Sequence, residues 1–166
     1  MKNQESIKKT QNAPSDIKEM PTTNLLSLFD RQKITPDNLE QYITDSKNCY
    51  PNKHIFSEYI ANNEEGITTS AIIKNCSGYI SRSYAYDILS GKTTKHPARD
   101  ILLILCISCH MDRKMTRKTL EAFRHRELYL KDPRDLIIAT YINNGIFDIA
   151  KINAELFQYQ LPLLSE

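Results

Sequence analysis

An all-α fold is what this sequence predicts, and three features predict it. Apolar residues recur at helical spacing, no run alternates apolar with polar as a half-buried strand does, and the chain has only four Gly, too few for the turns of a sandwich or barrel. The 166 residues suit one compact domain with a tail, or two small ones, and are enough to bury a real core. With 40% hydrophobic and 25% charged residues the composition excludes wholesale disorder. The formal charge of +2 permits an anionic partner but does not announce one, so any nucleic-acid surface must be local.

Residues 1–20 read as a flexible polar tail, with Lys2, Lys8 and Lys9 and almost no aliphatics. Within 21–50, Thr22 or Thr23 caps a short helix whose buried side is Leu25, Leu26, Leu28 and Phe29. A second start follows: Thr35 as N-cap and Pro36 at N1, with Leu39, Tyr42 and Ile43 as its apolar stripe. Pro51 and Asn52 open a helix carrying Ile55, Phe56, Tyr59 and Ile60, and Gly66 stops the segment.

The stretch from Ile67 to Asp100 reads as helix, turn, helix, Gly stop, loop and helix. Thr68 or Thr69 caps a helix with Ala71, Ile72 and Ile73, which Ser77-Gly78 breaks. Ser81 caps a second short helix with Ala85, Ile88 and Leu89 inward, and Gly91 ends it because an αL residue after the last turn is cheapest as Gly. Pro97 starts the helix of Asp100 and the run ILLIL. Thr116 begins a helix with Leu120 and Phe123. Asp132 is the N-cap of the next, with Pro133 at N1, Asp135 at N3 and Gly145 as terminator. Asp148 caps the last, with Ile149, Ile152, Leu156 and Phe157 on one face, and LPLL at the end packs down.

Cys106-Ile107-Ser108-Cys109-His110 has the spacing of haem attachment, but it ends the run DILLILCISCH, apolar nearly all round as a buried helix is. Its thiols act there as small hydrophobes, and no cofactor is expected. A thioredoxin-like role fails because the pair sits near a helix C-terminus, and no second CxxC or HxxxH completes a zinc site. No secretory signal or membrane span is visible, so a cytoplasmic protein with reduced Cys49, Cys76, Cys106 and Cys109 is expected. There is no phosphate loop, nucleophile elbow or HExxH, Glu64-Glu65 are adjacent rather than facing, and His54, His96, His110 and His125 are scattered. An enzyme is not expected.

Ile80-Ser81-Arg82-Ser83, Ile88, the Ser90-Gly91-Lys92 stop, Pro97, Asp100 and ILLIL resemble the helix-turn-helix core of Cro-like, phage-repressor-type regulators, the xenobiotic-response-element family of bacteria. A wider resemblance to bacterial helix-turn-helix regulators covers about residues 22–164, carried by SRSYAYDILSGK, HPARD, LYLKDPRD and LPLL. It implies a lambda-repressor-like core at 51–111 with additional N-terminal helices and a C-terminal helical unit at 112–166 for dimerisation or partner docking. It further implies a transcriptional regulator that reads double-stranded operator DNA in the major groove with the helix at about 81–90.

Carried over residue by residue, Arg82, Ser83 and Asp87 face base edges, Arg82 suiting guanine O6 and N7 and Asp87 accepting from cytosine N4, or else pairing only with a basic neighbour or with solvent. Tyr84 and Tyr86 touch a thymine methyl or phosphate, or else pack with wet hydroxyls. Ser81 holds a phosphate at the helix start, and Lys92 and Lys95, with Thr93 and Thr94, contact backbone just past the stop. A homodimer is expected because one short helix reads few base pairs. The cluster Arg113, Lys114, Arg117, Lys118, Arg124 and Arg126 is a phosphate patch or a solvated helix face. The alternative reading is an interaction or signalling adaptor that keeps the helix-turn-helix as scaffold and docks a protein or peptide effector on its C-terminal helices.

Overall fold

The computed structural model describes residues 24, 26, 27, 31, 35–40, 42, 43, 53–63 and 66–165. The chain divides into two compact units, Met1–Cys49 and Tyr50–Glu166. The 1–20 tail, the caps Thr22 and Thr23, Leu25, Leu28, Phe29, Cys49, Pro51, Asn52, Glu64 and Glu65 lie outside the described residues.

In the first unit, Asn24, Leu26 and Ser27 are helical, and so are Leu39, Glu40, Tyr42 and Ile43. At the second start the Thr35 N–H donates to Asn38 Oδ1 at 2.7 Å, a side chain reaching back over a first turn. Leu26 does not supply a buried side: it is 57% exposed, and Leu39 and Ile43 are also largely outward.

The second unit is all-helical among the described residues. Its helices are α1 (Ile55–Asn62), α2 (Thr69–Asn75), α3 (Arg82–Leu89), α4 (Arg99–Ser108), α5 (Arg113–Ala122), α6 (Pro133–Asn143) and α7 (Ile149–Gln158). α4 is the centre. Every residue from Ile101 to Cys109 is buried, and α2, α5 and α7 pack around it, while α1 lies on α3 and α5, and α6 on α5 and α7. Each leucine so buried contributes roughly 1.5–3 kcal/mol by leaving water. Cys106 and Cys109 are fully buried in this core, so the CISCH thiols are packing groups.

Local signals explain most boundaries. The Thr68 hydroxyl accepts from Ala71 N–H, Asp132 from Arg134 and Asp135 N–H, and Asp148 from Lys151 N–H. α3 ends at Gly91 with φ +72°, and the N–H groups of Lys92 and Thr93 turn back to the Asp87 carbonyl. A Cβ at Gly91 would also stand 2.6 Å from His54 Nδ1, so α1 approaches α3 closely there.

Several expectations are corrected. α4 begins at Arg99 behind Ala98, two residues after Pro97. α5 begins at Arg113, capped by Asp112, whose carboxylate accepts from Met115 N–H at 2.7 Å; Thr116 is buried inside the helix. Ser81 occupies the N-cap position of α3 but makes no side-chain capping bond. Phe157 leaves the Ile149–Ile152–Leu156 face and is 73% exposed, because one residue beyond Leu156 turns it about 100° around the helix. LPLL packs down through Leu164, which is 1% exposed and bonded by both N–H and carbonyl to the Asn153 side chain.

Candidate nucleic-acid interface

α3 is divided lengthwise by its own sequence. Ala85, Ile88 and Leu89 are buried, at the i, i+3 and i+4 spacing that faces one side into a core, which leaves Arg82, Ser83, Tyr86 and Asp87 outward. These four line an open hollow of about 630 Å³ with Thr69, Ser70 and Ile73 of α2. Sequence reasoning missed the three α2 residues. The signal available for two of them was position: Thr69 and Ser70 are short polar residues directly after the Thr68 cap.

The hollow holds one cation and one carboxylate. Among the described residues the Arg82 side chain makes no hydrogen bond or ion pair, so its five donors stay free for an external acceptor. Ser81 is exposed and its hydroxyl does not close on the first N–H groups of α3. Among the described residues the backbone N–H groups of Arg82 and Ser83 make no hydrogen bond, and such groups at a helix start are available to an anion. Lys92 folds back with its Nζ 5.8 Å above the Tyr86 ring, a cation–π contact that lengthens the outward edge past the helix end. Lys95 is exposed, and Thr93 is 5% exposed with its hydroxyl donating to the Lys95 carbonyl at 3.1 Å. Tyr84 stands apart: it is half-buried against the core rather than grouped with Arg82 and Tyr86.

The loop behind α3 is pinned by later chain. His125 Nε2 lies 2.8 Å from the Pro97 carbonyl oxygen, and its ring stacks on His96 with centroids 4.9 Å apart. Next to it, the two segments HPARD and DPRD prove to be partners. Arg99 donates twice to Asp135, both bonds at 2.9 Å, and also reaches the carbonyls of Arg126 and Glu127. Arg134 donates twice to Asp100, at 3.0 and 2.7 Å, and to the carbonyls of Pro162 and Leu163. The first turns of α4 and α6 are thereby cross-locked, Arg of each to Asp of the other, in the bidentate geometry that fits guanidinium to carboxylate. Asp135 is 1% exposed and also accepts from Tyr129 N–H, so its lone pairs are well used. Arg126 adds an exposed pair to Asp132 at 2.9 Å, which holds the Asp132 carboxyl below its ordinary range.

Burial sets the thiol chemistry. It pushes Cys106 up to about 12 and raises Cys109 and Cys76, so none of the three is a thiolate at neutral pH. Among the described residues no group of three or more His, Cys, Asp or Glu is arranged to hold a metal, and no helix is long and apolar enough to cross a membrane.

Compared with known proteins, the chain matches no family model, no curated protein and no solved structure.

Proposed function

We propose that this chain is a bacterial, cytoplasmic transcriptional regulator that binds double-stranded operator DNA through a lambda-repressor-like helix-turn-helix formed by α2 and α3. The observation that carries the reading is the lengthwise division of α3: Ala85 and Ile88 at 0% exposure on one side, and outward Arg82, Ser83, Tyr86 and Asp87 on the other. A major groove admits one helix and presents distinct donors and acceptors along its edges, so a reader needs a fixed apolar back and a free polar front. In this reading Arg82 takes guanine, Asp87 accepts from cytosine N4, Ser83 and Tyr86 flank them, and Ser81, Lys92 and Lys95 contact phosphate.

An eight-residue helix reads few base pairs, so a second copy completes the site. The outward Phe157 and Tyr159 at the end of α7 are the apolar surface we assign to that contact.

Selection from a pool of randomised duplexes tests the reading. The expected result is a two-part motif with half-sites about one helical turn apart, bound with an affinity that falls as salt rises. Recovery of no motif, with binding equal across duplexes, would contradict it.

A further inference from the structure

The first turns of α5 and the irregular segment 127–131 enclose a groove of about 690 Å³. Arg113, Lys114 and Arg117 line one wall, Lys131 is a fourth cation of the lining, and Glu127 is the one carboxylate among the lining residues. Arg117 shares its charge with Glu121 at 3.7 Å, whereas Arg113, Lys114 and Lys131 have no ion pair among the described residues. The other wall presents Tyr129 and Leu130, each about half exposed. We propose that this groove binds a short, extended acidic peptide of a partner protein, in which acidic and apolar residues alternate.

The spacing of the walls matches such a peptide. Arg113 and Arg117 are one turn apart on α5, ~6 Å along the axis, close to the ~6.6 Å between residues i and i+2 of an extended chain. Carboxylates at i and i+2 meet the α5 cations, and the residue between them points to Leu130 and Tyr129. The second wall is also held in place. The Glu127 carbonyl accepts from Arg99, Tyr129 N–H donates to Asp135, and the Tyr129 carbonyl accepts from Asp132 N–H.

Position and charge favour a peptide over nucleic acid. Arg113 begins α5 next to the C-terminal end of α4, ~15 Å of helix away from the turn where His125 touches the loop behind α3. Glu127 would oppose a phosphate lying against it, and a phosphate backbone has no apolar group to set on Tyr129 and Leu130, whereas a peptide can place an apolar or neutral residue at each. The proposal stands independently of duplex reading by α3.

The test is fluorescence anisotropy on the full chain with a labelled octapeptide alternating Glu and Leu. The expected result is saturable binding, weakened at least tenfold by Arg113→Glu with Lys114→Glu and by less in Lys114→Glu alone. Lys118→Glu, which reverses an exposed charge on the same helix outside the groove, leaves binding unchanged, and a peptide with Lys in place of Glu does not bind. Circular dichroism of the exposed-surface variants matches the parent. Absence of saturable binding, or equal weakening by Lys118→Glu, overturns the proposal. So does a duplex oligonucleotide that competes with the peptide and loses affinity in the Arg113→Glu, Lys114→Glu protein, which would make the groove a nucleic-acid surface.

Discussion

Arg82 and Arg99 are each the first residue of a helix, α3 and α4, and their circumstances are opposite. Arg99 is 16% exposed in its side chain, grips Asp135 with two bonds and holds two further carbonyls. Arg82 is exposed and grips nothing among the described residues. The same side chain at the same helical position is structural in one place and available in the other, because only one of them has a carboxylate brought to it by another helix. What distinguishes them is a contact with a residue 36 positions along the chain, which spacing within a helix does not encode.

The largest effect falls on the committed arginine. Asp135→Ala leaves Arg99 largely buried without its partner and is expected to cost about 3–5 kcal/mol in denaturant unfolding. Adding Arg99→Ala should cost less than the sum of the two singles, since each removes the same contact. Additive losses would show that the pair does not lock α4 to α6.

Gly91→Ala probes the end of α3. It forces a side chain into φ +72° and drives its Cβ to 2.6 Å from His54, with an expected loss of about 1–3 kcal/mol. A neutral result would mean that α1 does not bear on the end of α3.

Much of this architecture was legible in the sequence, and the reason is local. Thr68, Asp132 and Asp148 bond to N–H groups two or three residues ahead, and Gly91 answers a requirement of its own backbone, so each signal and its effect lie within one turn. Apolar spacing likewise marked Ala85, Ile88 and Leu89 as inward. The start of α5 is not legible in the same way, because Thr116 resembles a cap while the group that caps is Asp112, four residues earlier and directly after the buried Met111. Phe157 departs from its expected face because an apolar residue next to a helical stripe is not on it. HPARD and LYLKDPRD are visible as motifs, but their mutual pairing spans 34 and 36 residues, beyond the reach of local spacing. The hollow on α2 and the groove beside α5 were hidden for the same reason.

The smallest effect is on pH dependence. Arg126 hydrogen-bonds to Asp132 and lowers its carboxyl below the ordinary value of 3.8. A carboxyl depressed in the folded state stabilises above its unfolded value, and that contribution disappears as pH falls through the folded one. Asp132→Asn keeps a capping oxygen but removes the charge, so its deficit relative to the parent should be full near neutral pH, shrink as pH falls below about 4 and vanish only below the depressed folded value. A deficit independent of pH would mean that the Arg126 pair contributes nothing.

Arg82→Ala is the most direct measurement of the central claim. On the duplex selected by the parent protein and its single-base variants, the account predicts loss of discrimination at one base pair, roughly 1–3 kcal/mol or about tenfold to a hundredfold. Stability in denaturant should stay within about 0.5 kcal/mol of the parent, as expected for an exposed residue without partners. Discrimination retained at every base pair by a folded Arg82→Ala protein would contradict the assignment of α3 as the helix that reads DNA.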